Sequence, residues 1–195
     1  HSNSLIESAL NELKLGAHGM LGITPKIYND KSDEGIVLAT INKLKDDFQL
    51  SNIAIKKIDT EGYVIHQQGN RIFIVGKEDI GVLYGTFHFL KLLQMNRPLA
   101  GLHLEESPSV KLRLLNHWDN PGKIPQGMPE VERGYAGGSI FKWDALEKHQ
   151  QRYVDYARML ASIGVNGIVL NNVNTAKEGL EGWKLLTKDY LYKVK

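Results

Sequence analysis

The chain has 195 residues, enough for one large domain or two small ones. Its 24 Lys+Arg against 22 Asp+Glu leave a net charge of +2, without the strong basic field of a typical nucleic-acid binder. Hydrophobic residues at 42% and charged residues at 24% describe a globular chain, and the lack of cysteine excludes disulfides, thiolate metal sites and thiol catalysis.

In chain order, Leu5, Ile6, Ala9, Leu10, Leu13 and Ala17 follow an i, i+3/i+4 stripe. That spacing predicts an amphipathic helix, with Ser2 or Asn3 as its cap. Gly16, Gly19 and Gly22 are expected to mark its decay into a turn. Ile23 to Tyr28 reads as a short strand that Pro25 confines to an edge. The polar run from Asn29 to Gly35 reads as a loop. Ile36 to Ile41, rich in β-branched residues, reads as a buried strand, followed by a short helical piece near Asn42 to Phe48. Gly62–His66 and Arg71–Val75 are strand-like runs joined by the hairpin connection Gln67-Gln68-Gly69-Asn70. Ile80, Leu83, Tyr84, Phe87, Leu90 and Leu93 then give a helical stripe. Asp79 is its expected cap, and Asn96-Arg97-Pro98 its end. Gly81 and Gly85 lie off the stripe and should weaken the helix. A small strand layer with helices packed on it is the simplest way to bury these faces.

After Pro108 the character changes. Val110 to Leu115 reads as a strand and Asn116 to about Gly138 as a Gly- and Pro-rich loop. His149 to Ile163 reads as a helix with Tyr153, Tyr156, Ala157, Leu160 and Ala161 on one face. Gly164 ends it, and Val165 to Leu170 is a second strand. A last helix is expected to start at Thr187. Strand, loop, helix, strand suggests a βαβ unit with parallel strands. Parallel strands are almost always buried on both faces, so this half is expected to be the opening of a larger domain. No apolar run approaches the roughly 20 residues of a membrane span. The polar opening His1-Ser2-Asn3-Ser4 has no signal-peptide pattern, and a start at His rather than Met suggests a trimmed end. The compartment stays open.

Chemistry-bearing residues gather at the ends of the two late strands. Asn116-His117-Trp118-Asp119-Asn120 follows the first and Asn171-Asn172-Val173-Asn174 the second. In a (β/α) barrel both ends would open on one face, where active sites sit. A tryptophan among amides and carboxylates suits a sugar: the indole covers the C–H face and the polar groups take the hydroxyls. Asn and Asp also simply make turns after strands, so both readings stay open. Glu132-Arg133-Gly134-Tyr135-Ala136-Gly137-Gly138-Ser139 lacks the GxxxxGK[ST] order of a phosphate loop and fits better as a loop over a barrel mouth. There Glu132 and Arg133 face a polar ligand or pair with each other, and the Arg133 guanidinium suits a carboxylate. His66, His88, His103 and His117 show no metal-ligand spacing. His88 is expected to be hydrogen-bonded and partly buried, Tyr153 and Tyr156 to serve packing, and Glu105-Glu106 to be solvated charge.

Three blocks carry a family resemblance: Leu112 to Asn120, Glu132 to Phe141, and Arg152 to Gly167 with Asn171 to Asn174. In that order they resemble the α-glucuronidases of glycoside hydrolase family 67. Asp79 to Leu90 resembles that family's N-terminal α/β module, also found ahead of hexosaminidase barrels. The resemblance implies an α/β protein. Residues 1–108 would form a small sheet-and-helix domain, and 109–195 the first strands and helix of a truncated (β/α)8 barrel. It implies an inverting hydrolase that releases (4-O-methyl-)glucuronic acid from xylooligosaccharides. No cofactor and no metal are implied, and the catalytic acid and base come from later barrel strands, so no catalytic residue is placed in this chain. Trp118 matches a position whose ring packs on the uronic acid. Glu132, Arg133, Asn171 and Val173 match positions lining the same pocket, and Asp119 and Asn172 beside them complete the substrate-binding set. The stretch Pro121 to Val131 is longer and richer in Pro and Gly than the family's connection. The implied partners are glucuronoxylan-derived oligosaccharides, with no nucleic acid and no membrane; a homodimer stays open. The alternatives are a non-catalytic carbohydrate-binding protein and a hexosaminidase-like hydrolase.

Overall fold

The computed structural model describes residues 5–28, 33–44, 58–118, 140 and 146–171. Contacts divide the chain into two compact units, His1–Lys111 and Leu112–Lys195.

The first unit is α/β. Its described elements are α1 (Leu5–Leu21), β1 (Glu34–Thr40), α2 (Ile41–Leu44), β2 (Tyr63–Gln68), β3 (Asn70–Gly76), α3 (Asp79–Gln94) and β4 (His103–Glu106). The sheet order is β1-β3-β2-β4, with β1 parallel to β3 and the other pairs antiparallel. β3 is central, which explains its unbroken apolar run: a strand covered on both faces has no polar alternation. Ile74 joins Leu13 of α1 and Phe89 and Leu90 of α3 on one face, while Phe73 and Val75 pack with Leu44 of α2 on the other. In the β2–β3 hairpin Gln68 pairs with Arg71, and Gly69 takes the positive φ of 60° that a two-residue loop of type II′ requires.

Several expectations need correction. Residues 23–28 form no strand, and Ile23, Ile27 and Tyr28 are exposed. Pro25 withholds a donor there, and the sheet ends at β1 and β4. Ile41 opens α2 instead of closing the strand before it, and Glu34 and Gly35 belong to β1 instead of the loop. α1 does not decay at Gly16 or Gly19 but runs to Leu21. Gly16 is where α1 meets α3, since a Cβ there would collide with the Leu90 side chain. Asp79 is the first helical residue of α3, not its cap; Glu78 holds that place in an extended conformation, with no side-chain cap bond. Gly81 and Gly85 are buried against the sheet, so they are close-approach positions and not weak points. The end of α3 is as expected. Asn96 takes a φ of 50°, its N–H bonds the Leu93 carbonyl, and the Arg97 N–H bonds the Leu92 carbonyl, a Schellman motif with Asn in the left-handed position.

His88 of α3 is partly buried and hydrogen-bonded, as its position suggests. The Tyr63 hydroxyl and its Nδ1 share a hydrogen bond of 2.8 Å, and the rings meet edge to face. Burial pushes the pKa of the Tyr63 hydroxyl upward, with Glu106 adding to the effect, so it stays protonated. Burial lowers the basicity of His88; Glu106 opposes this and Lys91 reinforces it. A histidine held below its unfolded value of about 6.5 binds its proton less readily in the folded chain than in the unfolded one. Its contribution is therefore whole above that value and is lost as the pH falls through the folded one. Melting curves between pH 7 and 5 should show the native chain losing stability more steeply than His88→Gln; parallel slopes would refute this role.

Candidate functional site

The second unit supplies β5 (Leu114–Trp118), a 3-10 turn (Leu146–His149), α4 (Gln150–Ser162) and β6 (Gly167–Asn171). The expected strand–helix–strand order holds, and β5 and β6 pair in parallel. The boundaries move. Residues 110–113 are not in the ladder, because the Arg113 backbone bonds elsewhere: its N–H donates to Asn166 Oδ1 at 2.9 Å and its carbonyl accepts from the Asn166 N–H at 3.0 Å. The ladder starts one residue on, at Leu114 opposite Gly167, so Val165 and Asn166 also fall outside it. Asn116, His117 and Trp118 are then strand residues, not the start of a loop.

The loop from α4 into β6 is held at both ends. Gly164 takes a φ of 74°; its N–H bonds the Ala161 carbonyl and the Val165 N–H bonds the Leu160 carbonyl, closing α4. Arg113 Nε donates to the Gly164 carbonyl. Gly167 lies so close to Leu114 that a Cβ would come within 2.7 Å of its Cδ2. These contacts fix the register, which sets Trp118 opposite Asn171 on the last rung of the ladder. The first polar cluster thus starts inside β5, at Asn116, and the second at Asn171, the last residue of β6; ligands in parallel α/β sheets bind outside the C-terminal ends of the strands.

Of the expected substrate-binding residues, Trp118 and Asn171 are brought together in this way. Asp119, Glu132, Arg133, Asn172 and Val173 lie outside the described residues. On α4, Leu160 is buried and Tyr153, Tyr156 and Ala161 are half-buried as expected, while Ala157 is exposed. Tyr156 does more than pack. Its hydroxyl bonds Nε2 of buried His117, with the rings at 75° and 5.4 Å between centroids. His117 therefore ties β5 to α4. Sequence reading misses this link, because the signal is only one polar residue in each of two elements whose pairing depends on the fold.

In the first unit Glu105 and Glu106 stand on the edge strand β4 rather than on a connection, both exposed. His66 and His103 face each other across β2 and β4. Among the described residues no group of three or more His, Cys, Asp or Glu is arranged to hold a metal ion. Among them, too, no helix is long and apolar enough to cross a membrane.

Comparison with known proteins gives a consistent picture. Residues 1–89 match the glycosyl hydrolase family 67 N-terminus and residues 92–195 the family 67 middle domain. Curated relatives include the probable alpha-glucuronidase A of Aspergillus niger, 33% identical over 174 residues, and the alpha-glucuronidase of Hypocrea jecorina, 32% identical over 179 residues. Each match covers 88% of this chain but only 20% and 21% of those proteins, so the chain spans about a fifth of their length. Among solved structures, a GH138 enzyme targeting pectin rhamnogalacturonan II matches over 98% of this chain and 28% of its own, with a TM-score of 0.59 at 15% identity. A family GH115 4-O-methyl-alpha-glucuronidase matches over 86% of this chain and 23% of its own, at 0.55 and 16%. At such identities the likeness is one of fold.

Proposed function

The chain belongs to glycosyl hydrolase family 67, and from that premise we propose that it is part of an α-glucuronidase. The intact enzyme would be an inverting glycoside hydrolase that cleaves the α-1,2 link of (4-O-methyl-)glucuronic acid on xylooligosaccharides. Residues 1–108 are its accessory α/β domain, and 109–195 the beginning of a (β/α)8 catalytic barrel. The named activity of the curated relatives supports the reading. The observation that carries it is the parallel rung joining Trp118 and Asn171.

In this reading Trp118 packs on the C–H face of the uronic acid, and Asp119, Asn171 and Asn172 take hydroxyls. Arg133 pairs with the uronate carboxylate, where its planar fork binds two oxygens at once. Glu132 and Val173 line the same pocket. The partner is a glucuronoxylan-derived oligosaccharide.

The test is Trp118→Ala in the enzyme carrying the complete barrel. Loss of a large apolar contact is worth about 1–3 kcal/mol, which raises the dissociation constant for the sugar about 5- to 150-fold. The melting temperature should barely change, because a pocket wall contributes less to stability than a packed core residue. If Trp118 were core, its loss would cost about 3–5 kcal/mol of stability. A large fall in melting temperature with unchanged affinity per folded molecule would therefore remove it from the site.

A further inference from the structure

We propose that His66 and His103 form a surface site for a divalent transition-metal cation of the Zn2+, Ni2+ or Cu2+ class, with Glu105 as the positioning residue. The site lies in the first unit and does not depend on the hydrolase reading.

The geometry is set by the sheet. His66 of β2 and His103 of β4 are direct cross-strand partners. Their rings stand at 85° with centroids 5.1 Å apart, and the two Nδ1 atoms are 3.1 Å from each other. Two imidazole nitrogens at zinc bond lengths of about 2.05 Å are separated by about 3.3 Å at a tetrahedral angle and about 2.9 Å at a right angle. The observed spacing falls between these values, so the two nitrogens already stand at the separation that a shared cation requires.

Glu105 supplies the second, independent argument. It lies two residues along β4, on the same face of the strand as His103, and its Oε1 is 3.1 Å from His103 Nε2. A carboxylate there holds the proton on Nε2 and leaves the lone pair on Nδ1, the nitrogen turned toward His66. Ligating histidines are typically oriented by such a carboxylate on the far nitrogen. With that tautomer of His103, the Nδ1–Nδ1 bond of the metal-free chain requires the proton on His66 Nδ1, and the His66 ring also bonds the Leu102 backbone. On metal uptake the His66 proton leaves Nδ1 for solvent and solvent returns one to Nε2, so no net proton is released. The side chains of His103 and Glu105 are 42% and 28% exposed, which leaves the remaining coordination positions open to water. Imidazole ligands select this class of metal over Mg2+ and Ca2+.

The experiment is a zinc titration of the 195-residue chain, followed by histidine 15N NMR and by melting temperature. One equivalent should bind, shifting the His66 and His103 ring signals and moving His66 from the Nδ1–H to the Nε2–H tautomer. The melting temperature should rise with zinc concentration, since the cation joins edge strand β4 to β2. His66→Gln and His103→Gln should each abolish saturable uptake. Glu105→Ala should retain it at about tenfold lower affinity, the low end for an outer-shell partner. Absence of saturable uptake at millimolar zinc, undiminished uptake in either histidine variant, or signal shifts confined to other histidines would overturn the proposal. The NMR arm on the native chain decides the matter even if a variant fails to fold.

Discussion

Gly81→Ala is expected to lower the melting temperature of the first unit by about 12–24 °C, from a loss of about 3 kcal/mol or more. Propensity alone points the other way, because Ala is better than Gly inside a helix by about 1 kcal/mol. The close approach of two backbones decides the sign. A Cβ on Gly81 would collide with the Gly62 carbonyl oxygen and reach 3.2 Å from both Gly62 C and Gly76 Cα. None of these is a side chain that can swing away. The same carbonyl accepts the Lys77 N–H at 3.0 Å, so pushing it aside also loosens the turn between β3 and α3. Gly19→Ala is the matched control: the position is helical and exposed, and a Cβ there would meet nothing within 4 Å. It should gain up to about 1 kcal/mol. Thermal unfolding followed by circular dichroism compares the two; equal shifts would refute the packing argument.

The second expected result concerns activity. The 195-residue chain by itself should release no glucuronic acid from aldouronic oligosaccharides above a buffer blank. Inversion needs a carboxylic acid and a carboxylate base about 6.5–9.5 Å apart, on opposite sides of the scissile bond. The proposed enzyme takes both from barrel strands after β6. Glu105 and Glu106 do not substitute for them, since neighbours on a strand point to opposite faces. General acid–base catalysis is worth about 10²–10⁴ in rate, and positioning adds more. On that proposal the chain holds neither the pair nor the whole sugar subsite, and no turnover is expected of it. Chromatographic detection of glucuronate well above the blank would place a catalytic pair within these residues and overturn the assignment.

The sequence is most readable where one force acts alone. The α1 stripe and the β2–β3 hairpin follow from periodicity and a turn glycine. Propensity, the only guide to a helical glycine in a bare sequence, describes an isolated helix. Gly16, Gly81 and Gly85 answer instead to neighbours distant in sequence, Leu90, Gly62 and Ile74. β4 has only four residues, three of them charged or ionisable, and offers no apolar signal; it is a strand because β2 has an edge for it to pair with. The stretch 23–28 has strand-like residues but also Pro25, and it joins no strand of the described sheet. At the candidate site, the polar ends of β5 and β6 are visible as clusters. Their shared rung is not, because it depends on the Arg113–Asn166 bonds that set where the ladder begins.

The register of β5 and β6 has a consequence for how such a protein can diversify. Trp118 and Asn171 are held opposite each other by the ladder and by the Arg113, Gly164 and Gly167 contacts at its start. Arg113, Gly164 and Gly167 all lie in sequence outside the stretch between Asp119 and the 3-10 turn at Leu146. A change of length in that stretch leaves these three residues untouched, so the pairing of Trp118 with Asn171 is expected to survive it. The Pro- and Gly-rich run from Pro121 to Val131 falls in that part of the sequence.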